Sequence, residues 1–242
     1  MRTAAALVIG NELLSGKIQD QNIQVLARTL RAAGVQLRRV VLVLDEQDTI
    51  AAEVKALAAS HDVVFTSGGV GPTHDDVTIA AVAQAFDVGV VQSPEIEALL
   101  RSYYGERITD GHLAMAKVPA GARLSASSAS VWPAIVKENV WVLPGVPQIF
   151  AMKMPLVAEV LGTGSGFVSL SVCTTLDEGN LKDHLDRVVA AHPEVDVGSY
   201  PTWDDARYRT KLTFDGLDLG TVKRAYDAFV ACLSPEHIVR ID

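Results

Sequence analysis

The amino-acid sequence predicts an α/β chain: a doubly wound, mostly parallel sheet over residues 1–164, then a small α+β ferredoxin-like domain over 165–242. Three observations carry this. Unbroken apolar runs such as Val63-Val64-Phe65 alternate with helical patterns, the mark of a parallel sheet covered on both faces. One run leads into a glycine loop, Thr66-Ser67-Gly68-Gly69-Val70-Gly71-Pro72-Thr73-His74-Asp75-Asp76, and then into a helix. Beyond Gly162-Thr163-Gly164-Ser165-Gly166, a flexible link, the order becomes strand, helix, strand, strand, helix, strand.

Residues 4–9 read as the first strand; the apolar run is short and has no cleavage-like site after it, so it is not a leader. Gly10-Asn11-Glu12-Leu13-Leu14-Ser15-Gly16-Lys17 nearly spells a P-loop. Ile18, however, stands where a Ser or Thr must hold magnesium, and that reading fails. A helix over 20–33 lines up Ile23, Leu26, Ala27, Leu30 and Ala33 and stops at Gly34. Residues 35–44 form the second strand, and Asp48 is expected to cap a helix that turns Ile50, Val54, Leu57 and Ala58 inward. The strand at 63–65 follows, then the glycine loop and a helix over 77–86.

Ser93-Pro94 opens a helix to about residue 104, with proline at its first position, and 109–117 reads as a shorter one. Leu124-Ser125-Ala126-Ser127-Ser128-Ala129-Ser130 reads as a flexible small-residue connector. Residues 133–136 and 140–143 suggest a hairpin around Lys137-Glu138-Asn139, and Pro144-Gly145-Val146-Pro147 turns into a helix through about 161. Gly145 either brings backbone close to a ligand or supplies a left-handed turn. The second domain places strands at 167–174, 195–200, 208–214 and 237–241, with helices at 177–191 and 217–233.

Strand, glycine loop, helix is a layout that builds an anion site. Gly68, Gly69 and Gly71 permit positive φ and close backbone approach, and the helix start offers N–H groups and a positive dipole end. The loop is not a dinucleotide fingerprint, because His74 replaces the third glycine and Pro72 removes a donor. His74 itself reads as a hydrogen-bonding spacer. Asp75 and Asp76 admit two readings. Thr73 as N-cap with Asp76 three residues on resembles a capping box. Two carboxylates beside a phosphate nest otherwise need a divalent cation between them and the phosphate. Ligands of parallel sheets bind beyond the carboxyl ends of strands, so the loops after the first and third strands open on one crevice. Glu12, Asp75 and Asp76 are expected to share it, with Lys17 either neutralising a phosphate or solvated. Tyr200-Pro201-Thr202-Trp203 is either a platform for a flat ring or an exposed hairpin.

The net charge of −8, from 21 basic and 29 acidic residues, argues against a nucleic-acid surface. An anionic substrate would need a local site against that field. No apolar segment reaches membrane-spanning length. Cys173 and Cys232 form no disulfide framework, which fits a reducing cytoplasm.

Gly68-Gly69-Val70-Gly71-Pro72-Thr73-His74-Asp75-Asp76 resembles the signature loop of the molybdopterin-binding-like (MoaB/Mog-like) superfamily, a three-layer α/β fold. The match is nearest the branch holding the amino-terminal domain of competence/damage-inducible protein A and the first domain of eukaryotic FAD synthase. Gly10-Asn11-Glu12-Leu13-Leu14-Ser15-Gly16, Leu143-Pro144-Gly145-Val146-Pro147 and Gly198-Ser199-Tyr200-Pro201-Thr202-Trp203 resemble further motifs of that branch, in the same order. The resemblance implies a metal-dependent pyrophosphatase acting on a nucleotide diphosphate such as FAD or ADP-ribose. Asp75 and Asp76 would hold a divalent cation (Mg, Mn or Co), with Glu12 as a further ligand or base. Asn11, Gly68, Gly69, Val70, Gly71, Pro72, Thr73, Gly145, Tyr200 and Trp203 would contact the substrate. It also suggests a substrate role for residues 124–130, although the Asn and Gly common there in the family are missing. Asn11 stands where related pterin-adenylating enzymes carry Asp, which disfavours molybdopterin chemistry. A non-catalytic nucleotide- or molybdopterin-binding module is the alternative. A homo-oligomer, dimer or larger, is expected.

Overall fold

Four of the six strands of the main sheet run parallel, and their carboxyl ends all open on one edge. The computed structural model describes residues 2–127, 130–162 and 166–239. The chain folds into two compact units, Met1–Gly164 and Ser165–Asp242. The expected link at 162–166 lies partly outside the described residues.

In the first unit β1 (Arg2–Ile9) is followed by a single turn, α1 (Asn11–Leu14), and by α2 (Asn22–Ala32), β2 (Val35–Val43) and α3 (Gln47–Ser60). Next come β3 (Val63–Ser67), α4 (Thr78–Ala85), β4 (Val90–Gln92), α5 (Pro94–Tyr104), α6 (Asp110–Ala114) and β5 (Lys117–Pro119). The unit closes with β6 (Arg123–Ser127), β7 (Ser130–Lys137), β8 (Val140–Leu143) and α7 (Pro147–Leu161). The sheet order is β2-β1-β3-β8-β7-β6. β2, β1, β3 and β8 run parallel, β7 pairs antiparallel with β8, and β6 pairs antiparallel with β7.

Alternation along β1 makes the layers. Ala4 and Ala6 face one way, toward Leu26 and Leu30 of α2 and Phe150, Met154 and Val157 of α7. Ala5, Leu7 and Ile9 face the other, toward Ile50, Val54 and Leu57 of α3 and Ala81 and Val82 of α4. Each buried Leu or Phe contributes roughly 1.5–3 kcal/mol. The alanines of β1 keep the centre thin enough for helices to approach both faces.

Three expectations are corrected. Asp48 does not cap α3: the N-cap is Glu46, and Asp48 accepts from Gln84 Nε2 at 2.9 Å instead. Residues 124–127 are not a loose connector but belong to β6, paired with β7 and with Ser125 buried; 128–129 lie outside the described residues. The stretch 109–117 is a five-residue helix with a capping box between Thr109 and His112, followed by β5, which pairs with β4. Short strands of this kind carry too little periodicity to be read from sequence.

The second unit comprises β9 (Val168–Thr174), α8 (Glu178–Ala191), β10 (Asp196–Pro201), β11 (Thr210–Gly216), α9 (Leu219–Val230) and β12 (Ile238–Val239). Its antiparallel sheet has the order β10-β11-β9-β12, the ferredoxin-like arrangement. Leu181, Leu212, Phe214, Val222 and Phe229 fill its core.

Candidate functional site

The site of the first unit is built where β1, β2, β3 and β8 end, and the loops there are sewn to one another by backbone. The Gly10 amide donates to the Val43 carbonyl at 3.1 Å, and the Gly68 amide to Leu143 at 3.2 Å. Gly68 has φ +110°, and a Cβ there would lie 2.2 Å from the Ile9 carbonyl oxygen. Only glycine lets the loop after β3 press on the end of β1. Gly145 packs against it, with a Cβ position 3.1 Å from the Gly68 α-carbon. Its φ is not positive, so close approach of two loops, rather than a left-handed turn, explains the glycine.

Thr78, fully buried at the start of α4, locks the loop. Its hydroxyl donates to the Gly68 carbonyl at 2.8 Å and its amide to Gly69 at 3.0 Å. Asn22, 4% exposed, ties the other side: its Nδ2 donates to Ser67 Oγ at 2.9 Å and to the Gly145 carbonyl at 2.8 Å. Among the described residues no acceptor takes the amides of Gly69, Val70 or Gly71. These three consecutive N–H groups, the first on Gly69 with φ +64°, are open donors at the loop.

Asp75 and Asp76 do not cap the following helix. The N-cap of α4 is Val77, and the Thr73 amide donates to Asp76 Oδ2 at 2.8 Å, joined by the Thr73 hydroxyl. Asp76 therefore staples the loop and lies against Gly71, whose Cβ position is 2.7 Å from Oδ2. Asp75 is exposed and 3.9 Å from His74 Nδ1. Glu12 folds back over Gly10, where a Cβ would lie 2.6 Å from its Oε1. Asn11 is turned toward Asp45: its amide donates to Asp45 Oδ2 at 2.8 Å, and its Oδ1 accepts from the Asp45 amide at 3.3 Å.

Asp45 is a carboxylate beside these loops that sequence reasoning did not single out. Its carboxyl is raised above the usual range, first by burial and then by the charges of Glu12, Asp75 and Asp76, against the Asn11 hydrogen bond that lowers it. The structure thus brings Glu12, Asp75 and Asp76 within electrostatic reach of one carboxylate at the end of β2. The position two residues past a parallel strand was the available signal. Among the described residues no three Asp, Glu, His or Cys side chains converge as a preformed metal centre.

A cavity of about 750 Å³ opens beside the loop, walled by Val70, Gly71, Pro72, Thr73 and Asp76 at one end. Its apolar walls include Tyr103, Tyr104, Trp132 and Ile149, together with Lys153. This lining was also missed. The legible clue was a lysine on the inward stripe Phe150–Lys153–Met154–Val157 of a helix. Lys17 is exposed. Tyr200 and Trp203 belong to the second unit, where they are 56% and 88% exposed.

The family described as "Probable molybdopterin binding domain" matches residues 5–162, and "FAD synthase, middle domain" matches residues 166–242. A protein of Archaeoglobus fulgidus is 31% identical over 93% of this chain and 96% of its own length. A "Probable FAD synthase" of Caenorhabditis elegans is 31% identical over the whole chain and 51% of its own length. A "CinA-like protein" of Desulfosudis oleivorans is 32% identical over 81% of this chain and 51% of its own length. The chain therefore spans about half the length of those last two relatives. Among solved structures, the protein CinA of Thermoplasma acidophilum, itself described as of unknown function, superposes with a TM-score of 0.60 at 28% identity. The superposition covers 66% of this chain and 98% of that one. No helix among the described residues is long and apolar enough to cross a membrane.

Proposed function

The chain belongs to the probable molybdopterin binding domain family, and on that premise we propose that it is a metal-dependent pyrophosphatase of a nucleotide diphosphate such as FAD or ADP-ribose. The observation that carries this reading is the run of free amides at Gly69, Val70 and Gly71 beside a group of carboxylates in which Asp45 is raised by burial and then by the charges of Glu12, Asp75 and Asp76. A nest calls for an anion, and the carboxylates call for a cation. A diphosphate with a bridging divalent ion satisfies both.

The donor set fits a hard cation. It is all oxygen, and after burial the charges of Glu12, Asp75 and Asp76 help to raise the Asp45 carboxyl. An ion of the magnesium type takes one or two carboxylates and completes its shell with phosphate oxygens and water, so it does not require a preformed group of three, and among the described residues there is none. Asp75 and Asp76 would hold it, with Asp45 and Glu12 at the rim. Bound there, such an ion neutralises diphosphate charge and acidifies water. The chain's own groups do the rest. The loop amides orient the diphosphate, Glu12 takes a proton from the attacking water, and Asp76 keeps the nest in shape through Thr73.

Release of AMP from FAD and from ADP-ribose, with and without Mg, Mn or Co, tests this. The expected outcome is cation-dependent turnover. Binding of these nucleotides without turnover under any cation overturns the hydrolase and leaves a binding module, the reading favoured by the apolar cavity beside the nest.

A further inference from the structure

We propose that the cavity beside the glycine loop holds a flat heteroaromatic ring bearing carbonyl oxygens, and that Lys153 is the residue that reads those carbonyls. The proposal deepens the reading above, since it presumes that the diphosphate lies on the amides of Gly69, Val70 and Gly71.

The cavity begins at that loop, with Val70 to Thr73 in its wall, so a group attached to the bound diphosphate enters it directly. Its volume of about 750 Å³ falls in the range of small-molecule sites. Aromatic faces line it. Tyr103 meets Trp132 edge-on at 5.7 Å and Tyr104 at 5.0 Å, and Tyr104 stacks on His112 at 3.8 Å. Such a wall accepts a flat ring.

Lys153 supplies the specificity. It sits on the core-facing stripe of α7, 6% exposed. Its Nζ donates to the backbone carbonyls of Trp132 at 2.5 Å and Pro133 at 3.1 Å. An ammonium has three donors, so one remains. Among the described residues it has no carboxylate partner, and the sole carboxylate in the cavity wall is Asp76 at the loop end. Burial lowers its pKa to about 8, which leaves it mostly protonated at neutral pH. A buried ammonium held only by neutral carbonyls gains from a further acceptor. A ring with oxo groups, such as the pyrimidinedione edge of a flavin, presents one. Adenine offers the ammonium only ring nitrogens as acceptors, and beside N1 its exocyclic amine would meet the ammonium donor to donor. A flavin-like ring is therefore favoured here over adenine.

The test uses probes without phosphate, so that it is blind to hydrolysis. Riboflavin and adenosine are titrated into the full chain by flavin fluorescence and calorimetry, in wild type, Lys153→Met and Tyr103→Ala. Wild type is expected to bind riboflavin roughly tenfold or more tightly than adenosine, and Lys153→Met to lose about that factor for riboflavin alone. Tyr103→Ala, at an exposed position, is expected to weaken riboflavin several-fold and decides the matter if Lys153→Met does not fold. Failure of wild type to bind riboflavin, unchanged riboflavin affinity in the folded variants, or equal losses for both probes overturns the proposal. A chain that cleaves FAD yet ignores riboflavin sinks this inference only. One that binds riboflavin through Lys153 and cleaves nothing sinks the pyrophosphatase only.

Discussion

Thr73 and Asp76 close a turn on themselves: the amide of Thr73, at 2.8 Å, and its hydroxyl both donate to Asp76 Oδ2. The helix begins only at Thr78. Asparagine at position 76 keeps an oxygen for both donors but loses the charge. Asp76→Asn is expected to fold with stability within about 1 kcal/mol of wild type, the worth of one ordinary hydrogen bond. Its kcat/KM should fall by at least the roughly ten- to hundredfold that loss of an outer-shell metal partner causes. Full turnover in this variant removes Asp76 from the cation site.

The glycines of the loop separate fold from binding. At Gly68 an added Cβ meets the Ile9 carbonyl oxygen at 2.2 Å with φ +110°, and at Gly69 it meets the buried Thr78 hydroxyl at 2.3 Å with φ +64°. Gly68→Ala is therefore expected to lose more than the roughly 1–3 kcal/mol of a strained backbone position. At Gly71 the neighbour is the Asp76 side chain, which can move, and φ is ordinary. Gly71→Ala should weaken ADP binding several-fold with little change in Tm. Chemical denaturation beside calorimetric ADP titration checks both.

Divalent cation should stabilise the wild-type chain in proportion to RT ln(1 + [M]/Kd). Asp45→Asn removes a carboxylate whose charge is disfavoured by burial first and then by Glu12, Asp75 and Asp76, so without added cation its Tm near neutral pH should equal or exceed that of wild type. The sign follows from a folded pKa above the unfolded one, which makes stability fall as pH rises through that range. With Mg or Mn the order should reverse. A cation-induced shift of Tm equal in both proteins would exclude Asp45 from the site.

Lys153 has its own pH window. Its folded pKa of about 8 lies below the ordinary 10.5, so between these values the unfolded chain binds the extra proton and stability rises with pH. Below pH 8 the full cost of burying the charge is present; above 10.5 it is gone. Lys153→Met is expected to be more stable than wild type at pH 7, with the difference shrinking as pH climbs through 8 to 10.5. Urea unfolding of both proteins across that range measures it.

Trp203 is 88% exposed, so Trp203→Ala should leave stability within roughly 0.5 kcal/mol of wild type. With the ring lodged against Lys153, the ratio of kcat/KM for FAD to that for ADP-ribose should not change. A several-fold selective loss for FAD would put the ring on the Tyr200–Trp203 hairpin.

Local chemistry was legible from residues alone. The apolar runs marked β1 and β3, Gly34 ended α2, Ser93-Pro94 opened α5, and the two strand–helix orders distinguished a doubly wound sheet from a ferredoxin-like one. The positive φ and open amides of the glycine loop were legible because they are properties of a short segment. What needed the tertiary structure was every relation between segments. Asp45 became part of the carboxylate group only when β2 was laid beside β1, and Asn22 became the tie between two loops only when α2 was packed under them. Thr73 and Asp76 have the spacing of a capping box, yet the helix started elsewhere because Thr78 bonds back to Gly68 and Gly69. Residues 125–127, all small, look like part of a loop until the pairing of β6 with β7 places them in a strand. Spacing records which residues are neighbours along the chain. Which of them share a site depends on strand order and loop contact, and these are decided by burial and hydrogen bonding across the whole fold.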